Sequence, residues 1–276
     1  MSVSPEDCTL IVSTYNWSEA LELTLKSILK QSKIPAEVII ADDGSTEKTK
    51  LLIDAYKKTF PTKLIHLWQE DIGFRLATIR NKAFELSSKR YLIQIDGDII
   101  LHPNFIEDHL RFAKEGCLLQ GSRVMLGKSL SQKLLTKKEI RVSFFDRDIK
   151  RRENLVRNIN LSEYLLTRYR NRYPIYFARG ANMSFWKKDI MEVNGYNEKF
   201  EGWGHEDSDL TLRLLNSGKR KLVLKFSAIA YHLYHLENKT KEKDDINKAI
   251  LEETLRLKNT RTKWGINKLS DHHESI

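Results

Sequence analysis

Cysteine is nearly missing from this chain. Cys8 and Cys117 are the only two among 276 residues, too few for a disulfide framework and without the spacing of a zinc site. A reducing, cytoplasmic setting is the expectation. Long hydrophobic runs are missing as well. No stretch reaches the roughly 18 uninterrupted apolar residues of a membrane span. The opening MSVSPEDCTL also has no basic patch followed by an apolar core, so no secretory leader is expected. Neither an internal repeat nor a low-complexity tract is visible, and a composition of 41% hydrophobic and 30% charged residues argues against wholesale disorder.

Acid is in deficit. Against 47 Lys and Arg stand 37 Asp and Glu, a formal charge of +10, which calls for an anionic partner such as nucleic acid, lipid headgroups or a phosphorylated substrate. The basic residues cluster over 133–172 and again over 239–263. Charge runs of this kind are usually solvated faces.

What is present is an alternation. Residues 9–13 (TLIVS) and 38–41 (VIIA) read as buried strands, and between them Leu21, Leu25, Ile28 and Leu29 recur at helical spacing after Ser18, a candidate cap. The unit repeats. Ser45 and Thr46 open a helix through Tyr56, residues 64–67 form a third strand, 78–86 a helix, and 91–95 (YLIQI) a fourth strand. Such βαβ succession predicts an α/β fold, a mostly parallel sheet flanked by helices in a single domain. Ligands then bind beyond the carboxyl ends of the strands. Residues 123–172 look irregular, with a turn at Gly127, Lys128 and Ser129, and read as a basic lid. A strand follows over 183–186, a helix over 207–217, strands over 221–226 and 228–233, and a final helix over 244–258 before a tail at 270–276 expected to be disordered. The organisation expected is one domain over 1–240, in two parts, 1–122 and 123–240, followed by a C-terminal helix and tail over 241–276.

Four polar clusters fall at strand ends. In Asp96-Gly97-Asp98, two carboxylates close a buried apolar strand, where repulsion and desolvation favour a bridging cation. Mn2+ or Mg2+ suits such oxygens and can neutralise a diphosphate. Read structurally, the same residues are an Asp-Gly turn. Asp42-Asp43-Gly44-Ser45 makes a turn and a helix cap, and Asp42 can also accept a hydrogen bond from a nucleotide base or ribose. In 71–80 (DIGFRLATIR), Arg75 and Arg80 are the cations near that edge, one of which could clamp phosphate; otherwise Arg80 is a surface helix residue. In 202–207 (GWGHED), two glycines set Trp203 in a loop where a sugar ring can stack, and Glu206-Asp207 lies at a helix start that favours carboxylates. A carboxylate there can act as general base on a sugar hydroxyl. His232 and His235 follow a strand and can complete a metal shell.

Thr14-Tyr15-Asn16, DDGS, GFRLATIRN, DGD and RGANMSFW…GYNEKFEGWGHEDSDLTLRL together resemble the inverting glycosyltransferases of family 2 with a GT-A fold. The second half is similar to the carboxyl-terminal region of β-1,4-galactosyltransferases and chondroitin-type polymerases. The resemblance spans about residues 8–236. It implies a UDP-sugar donor bound by Thr14, Tyr15, Asn16, Asp42, Asp71, Arg75, Arg80, Asp96 and Gly97. It implies Asp207 as catalytic base and Trp203, Gly204 and Glu206 in the sugar and acceptor pocket. Asp98 becomes the main metal ligand, with His232, or alternatively His235, as the second. The family's membrane anchor and second catalytic domain are not seen. The expectation is therefore a cytoplasmic bacterial enzyme, peripheral at most on the anionic inner face of the membrane, adding one hexose or N-acetylhexosamine, galactose or N-acetylgalactosamine first, to a lipopolysaccharide or capsule saccharide.

Three other classes fit parts of the sequence. A transferase onto a polyprenyl-phosphate or lipid-linked saccharide suits the charge. A nucleic-acid-binding protein is kept open by Phe144, Phe145, Tyr164, Tyr169 and Tyr173 among the basic clusters, but acids converging at strand ends would repel phosphate, so no nucleic acid is expected. A non-catalytic sugar-binding module would bind without releasing UDP.

Overall fold

The TLIVS run lies within β1 (Cys8–Thr14), every residue of which is buried, as a strand covered on both faces requires. The computed structural model describes residues 2–169, 172–236 and 241–267; the tail at 270–276 lies outside them. After β1 comes α1 (Ser18–Ile28), whose cap position is Trp17. Ser18 is therefore inside the helix, its hydroxyl donating to Glu19 instead of capping. Then follow β2 (Glu37–Asp42), α2 (Glu47–Lys57), β3 (Lys63–Trp68), α3 (Leu76–Leu86) and β4 (Tyr91–Asp96). β1 pairs in parallel with β2 and β4, and β2 with β3.

The second half adds β5 (Ile99–Leu101), α4 (Phe105–Phe112), β6 (Cys117–Gln120), β7 (Arg123–Leu126), α5 (Lys128–Lys137), β8 (Ile149–Lys150), α6 (Ile159–Leu165), β9 (Asn182–Trp186), α7 (Lys187–Glu192), α8 (Glu206–Asn216), β10 (Arg220–Val223), β11 (Ala230–His232) and α9 (Lys241–Leu257). The main sheet has the order β10-β6-β9-β4-β1-β2-β3, and a smaller one the order β5-β11-β7-β8. In the main sheet only β9 runs against its neighbours. Thr14, Asp42, Trp68, Asp96, Gln120 and Val223 therefore end their strands on one edge, the edge that α/β sheets use for ligands. The fold is a single mixed α/β domain with a mostly parallel sheet, as the alternation predicts.

The segment expected to be irregular is folded. Gly127 is the cap of α5, not part of a turn. Leu130 and Leu134 bury with Ala20, Leu23, Val124 and Tyr231. Two apolar positions per two turns suffice for packing, but lysines on the other face hide the period. The cap itself comes from far along the chain: Asp148 accepts from the Ser129 amide at 2.9 Å. Further on, Arg157 grips the fully buried Asp108 at 2.7 Å. The strand expected over 221–226 stops at Val223, because Phe226 and Ala228 adopt left-handed φ of 59° and 47°, which a strand cannot hold.

α9 packs against the domain instead of trailing from it. The amide of Asn247 donates to the carbonyls of Glu201 and Gly204, both at 3.1 Å, and Thr254 donates to Asp209 at 2.7 Å. No helix of the described residues is long and apolar enough to cross a membrane.

Candidate active site

Asp96 closes β4, and the chain must turn at once to leave the sheet. It does so against β1: the Gly97 amide donates to the Ser13 carbonyl at 2.7 Å, and a Cβ on Gly97 would meet that oxygen at 3.0 Å and Thr14 Cβ at 3.1 Å. Only glycine fits without displacing β1. The Asp98 carbonyl then accepts from the Leu233 amide at 3.0 Å, which locks the end of β11 beside the acidic pair.

That lock brings both candidate histidines to Asp98. Its Oδ2 is 3.5 Å from His232 Nε2 and 3.2 Å from His235 Nε2. The Nδ1 atoms face the carbonyls of Leu233 and Leu236 at 2.7 and 3.0 Å. A carbonyl can only accept, so Nδ1 carries the hydrogen and Nε2 points inward, the orientation that outer-sphere carbonyls impose on metal-binding imidazoles. One ligand atom from each of the three residues falls within 4.8 Å of the others. The other Asp98 oxygen, Oδ1, is buried with no hydrogen-bond partner. This donor set fits a divalent cation, and two imidazoles beside one carboxylate turn it from Mg2+ toward Mn2+.

Electrostatics separates the two aspartates. Burial raises Asp96 above the usual carboxylate range, opposed by Arg80. Burial also works to raise Asp98, but His232 and His235 outweigh it and hold it below. The hydrogen bond to Asp98 in turn pushes His235 up to about 9.

Arg80, on α3, is neither a surface residue nor an open phosphate clamp. It is 1% exposed. Its guanidinium donates to Asp207 Oδ1 at 3.0 Å, to Asp96 Oδ1 at 2.9 Å and to Ser13 Oγ at 3.2 Å, and lies 5.4 Å from the centre of the Tyr196 ring. A fork filled by two carboxylates has little left for a diphosphate. Asp207 also accepts from Tyr196 Oη on Oδ1 at 2.8 Å and from the Gly180 amide on Oδ2 at 2.5 Å. A Cβ on Gly180 would stand 2.5 Å from Asp207.

Glu206 is 8% exposed, its Oε2 has no partner, and its nearest cation is Arg80 at 3.7 Å. Burial, reinforced by the charge of Asp207, pushes it up to about 8. The loop before it is held in left-handed conformations through Gly202, Gly204 and His205, at φ 75°, 106° and 73°; for a histidine this is strain maintained by its surroundings. Trp203 in that loop is 43% exposed, which leaves ring face for a sugar.

At the ends of β2 and β3 the carboxylates are engaged. Asp42 is fully buried, with Oδ1 accepting from the Ser45 amide and Oδ2 beside His66 Nε2, both at 2.8 Å. Both of its oxygens thus take part in building the turn. Asp43 takes the Arg75 amide at 2.9 Å and Gln69 at 2.5 Å. Arg75 turns its guanidinium to the Glu70 carbonyl at 2.9 Å. Thr14 gives its carbonyl to the Asp43 amide, Tyr15 donates to Asp71 at 3.0 Å, and Asn16 accepts from the Thr46 amide. These contacts tie the first strand ends into one rim.

Sequence reasoning missed Tyr196, Gly180 and Arg123. Arg123, at the start of β7, has its pKa lowered by burial and neighbouring Arg179, while Asp96, Asp98 and Asp207 oppose that shift. Gly180 and Tyr196 fall within the RGANMSFW…GYNEKF motif without a role of their own there, and Arg123 falls in no quoted motif; each reaches the site from a different segment.

Comparison with known proteins follows this geometry. A family model described as glycosyl transferase family 2 matches residues 9–171, and one described as the N-terminal domain of galactosyltransferase matches 163–236. Chondroitin synthase of Escherichia coli is 25% identical over 241 residues, covering 81% of this chain and 34% of the synthase. Validoxylamine A glucosyltransferase of Streptomyces hygroscopicus subsp. limoneus is 27% identical over 226 residues, 75% of this chain and 47% of that enzyme. The chain thus spans less than half the length of these two relatives. The crystal structure of GalNAc-T7 with UDP, GalNAc and Mn2+ superposes with a TM-score of 0.65 at 17% identity, covering 90% of this chain and 48% of that one, a likeness of fold.

Proposed function

The chain belongs to glycosyl transferase family 2, and from that premise we propose that it transfers a hexose or N-acetylhexosamine from a UDP-sugar to a saccharide acceptor with inversion, within bacterial polysaccharide synthesis. Galactose and N-acetylgalactosamine are the first sugars to try. The observation that carries the reading is Arg80, which joins Asp96 of the DGD turn to Asp207 of the GWGHED helix in one site.

In this mechanism Asp207 Oδ2, which accepts from the Gly180 amide, takes the proton of the acceptor hydroxyl. That oxygen forms its bond to the anomeric carbon as the bond from that carbon to the diphosphate oxygen breaks, and UDP leaves. Arg80, Tyr196 and Gly180 fix the orientation of Asp207, so positioning supplies much of the acceleration. Glu206, carrying its proton at neutral pH by virtue of its raised pKa, donates to a sugar hydroxyl. A divalent cation held by Asp98, His232 and His235 would neutralise charge on the departing diphosphate. Trp203 supplies the stacking face.

The test is a screen for UDP release over common UDP-sugars with Mn2+ and saccharide acceptors, repeated on Asp98→Ala and Asp207→Asn. Turnover in the parent protein that both substitutions abolish supports the reading. Turnover unchanged in Asp207→Asn removes the base, and sugar binding with no release of UDP means a binding module.

A further inference from the structure

A cavity of about 560 Å³ opens at the β6–β10 end of the same sheet edge, across β4 from the DDGS turn. Its size falls within the range of small-molecule sites. Six cations line it, Arg123, Arg151, Arg172, Arg179, Lys221 and Lys225, and no aspartate or glutamate does. Like charges that converge repel, so a fold that keeps them together on one wall favours an anion between them.

The two lysines meet neutral acceptors. Lys225 Nζ donates to Asn154 Oδ1 at 2.6 Å and Lys221 Nζ to the Phe177 carbonyl, both neutral acceptors. Among the described residues, no carboxylate is within ion-pairing distance of Arg123, Arg151, Lys221 or Lys225. Burial accordingly pushes Lys221 down to about 8 and lowers Lys225 as well. On another wall Tyr173 and Phe177 stack at 4.5 Å and 26°, an aromatic surface of the kind that packs on a sugar face.

The cavity communicates with Asp207. Arg179 on its wall precedes Gly180, whose amide holds that carboxylate, and the Ala178 amide donates to Ser208 Oγ at 3.2 Å. Arg123 and Lys221 both interact electrostatically with Asp207. Lys225 instead responds to Arg151 and Glu153 and to none of the site carboxylates. Positive charge therefore extends from the reacting groups to a part of the cavity beyond them. A departing diphosphate at Asp98 would account for Arg123; it leaves Arg151 and Lys225 without a purpose.

We propose that this cavity holds the acceptor, and that the acceptor is an anionic saccharide bearing a carboxylate or a phosphate next to the sugar that offers the attacking hydroxyl. This rests on the transferase reading above. The same charge would repel a cationic sugar and give a neutral one no advantage.

Calorimetric titration of the full chain without donor tests it, using three probes: an unsulfated glucuronate-containing tetrasaccharide, glucose 6-phosphate and neutral maltotetraose. At least one anionic probe is expected to bind about tenfold or more tightly than maltotetraose, and which one identifies the anion. An Arg151→Glu/Lys225→Glu double variant is expected to lose that preference, and Lys225→Gln to lose part of it with an unchanged thermal midpoint. Equal binding of all three probes, or binding of none, overturns the proposal. So does displacement of the anionic probe by UDP, which would assign the cavity to the donor. Binding of UDP with Mn2+ to the parent protein is measured separately, and its failure counts against the transferase reading alone.

Discussion

Arg80 and Asp207 are 127 residues apart in sequence and 3.0 Å apart in space. The arginine is fully buried, and its second terminal nitrogen holds Asp96 at 2.9 Å. One guanidinium thus fixes the distance between the end of β4 and the start of α8. A lysine has one point charge and no fork, and cannot hold both in a set geometry.

Arg80→Ala leaves two buried carboxylates without their cation and is expected to cost roughly 3–5 kcal/mol in urea denaturation. Arg80→Lys is the sharper test. It should keep much of the stability yet lower kcat by on the order of 10²-fold, since a shift of about 1 Å in a catalytic group costs that much. Wild-type kcat in Arg80→Lys would show that Asp207 needs no such positioning.

Asp98, His232 and His235 lie close enough together to hold one ion, which makes both histidines candidate ligands. Asp98→Ala should abolish Mn2+ binding in a calorimetric titration. Each of His232→Ala and His235→Ala should weaken it by roughly tenfold or more, in line with the sensitivity of metal sites to lost partners. Activity removed by a chelator should return with Mn2+. An unchanged Mn2+ affinity in His235→Ala would leave His232 as the sole partner of Asp98.

Glu206 titrates high, at about 8, because burial penalises its charge and Asp207 adds repulsion. Its ordinary value is 4.5. The folded state thus binds the proton more tightly than the unfolded chain does. The resulting stability is fully present below about 4.5 and is lost as pH rises toward about 8. Glu206→Gln should remove this dependence, so that the variant gains on the parent protein in urea midpoint as pH goes from 5 to 8. A constant difference between the two across that window would contradict the burial of a proton there.

Asn247 reaches from α9 to the carbonyls on both sides of Trp203, those of Glu201 and Gly204. Asn247→Ala should loosen the loop and cost roughly 1–3 kcal/mol, two net hydrogen bonds at about 0.5–1.5 each. Its signature in kinetics should be a rise in acceptor KM larger than the fall in kcat. A fall in kcat alone would mean that the loop acts on the chemistry and not on the binding of the acceptor.

Much of the fold was legible. The runs TLIVS, VIIA and YLIQI are short, apolar and rich in branched residues, which limits them to buried strands, and the heptad-like leucines of α1 can only be a helix face. Acidic residues at the ends of those strands marked the edge to inspect. What stayed hidden was α5, whose packing rests on Leu130 and Leu134 within a lysine-rich stretch and whose N-terminal amide is satisfied by Asp148 from beyond the helix. The burial of Arg80 was hidden too. In sequence it is one more cation on a helix, and only the two carboxylates it meets reveal its place.

The sequence by itself determined the alternation of strands and helices in the first half, the acidic strand ends and the family to which the chain belongs, because periodicity and short motifs are local properties. Tertiary structure alone decided which acids share a cation, that both histidines face Asp98, and that six positive side chains from separate elements line one cavity. Those are consequences of distance, and Coulomb forces and hydrogen bonds depend on distance in space, which the order of residues does not state.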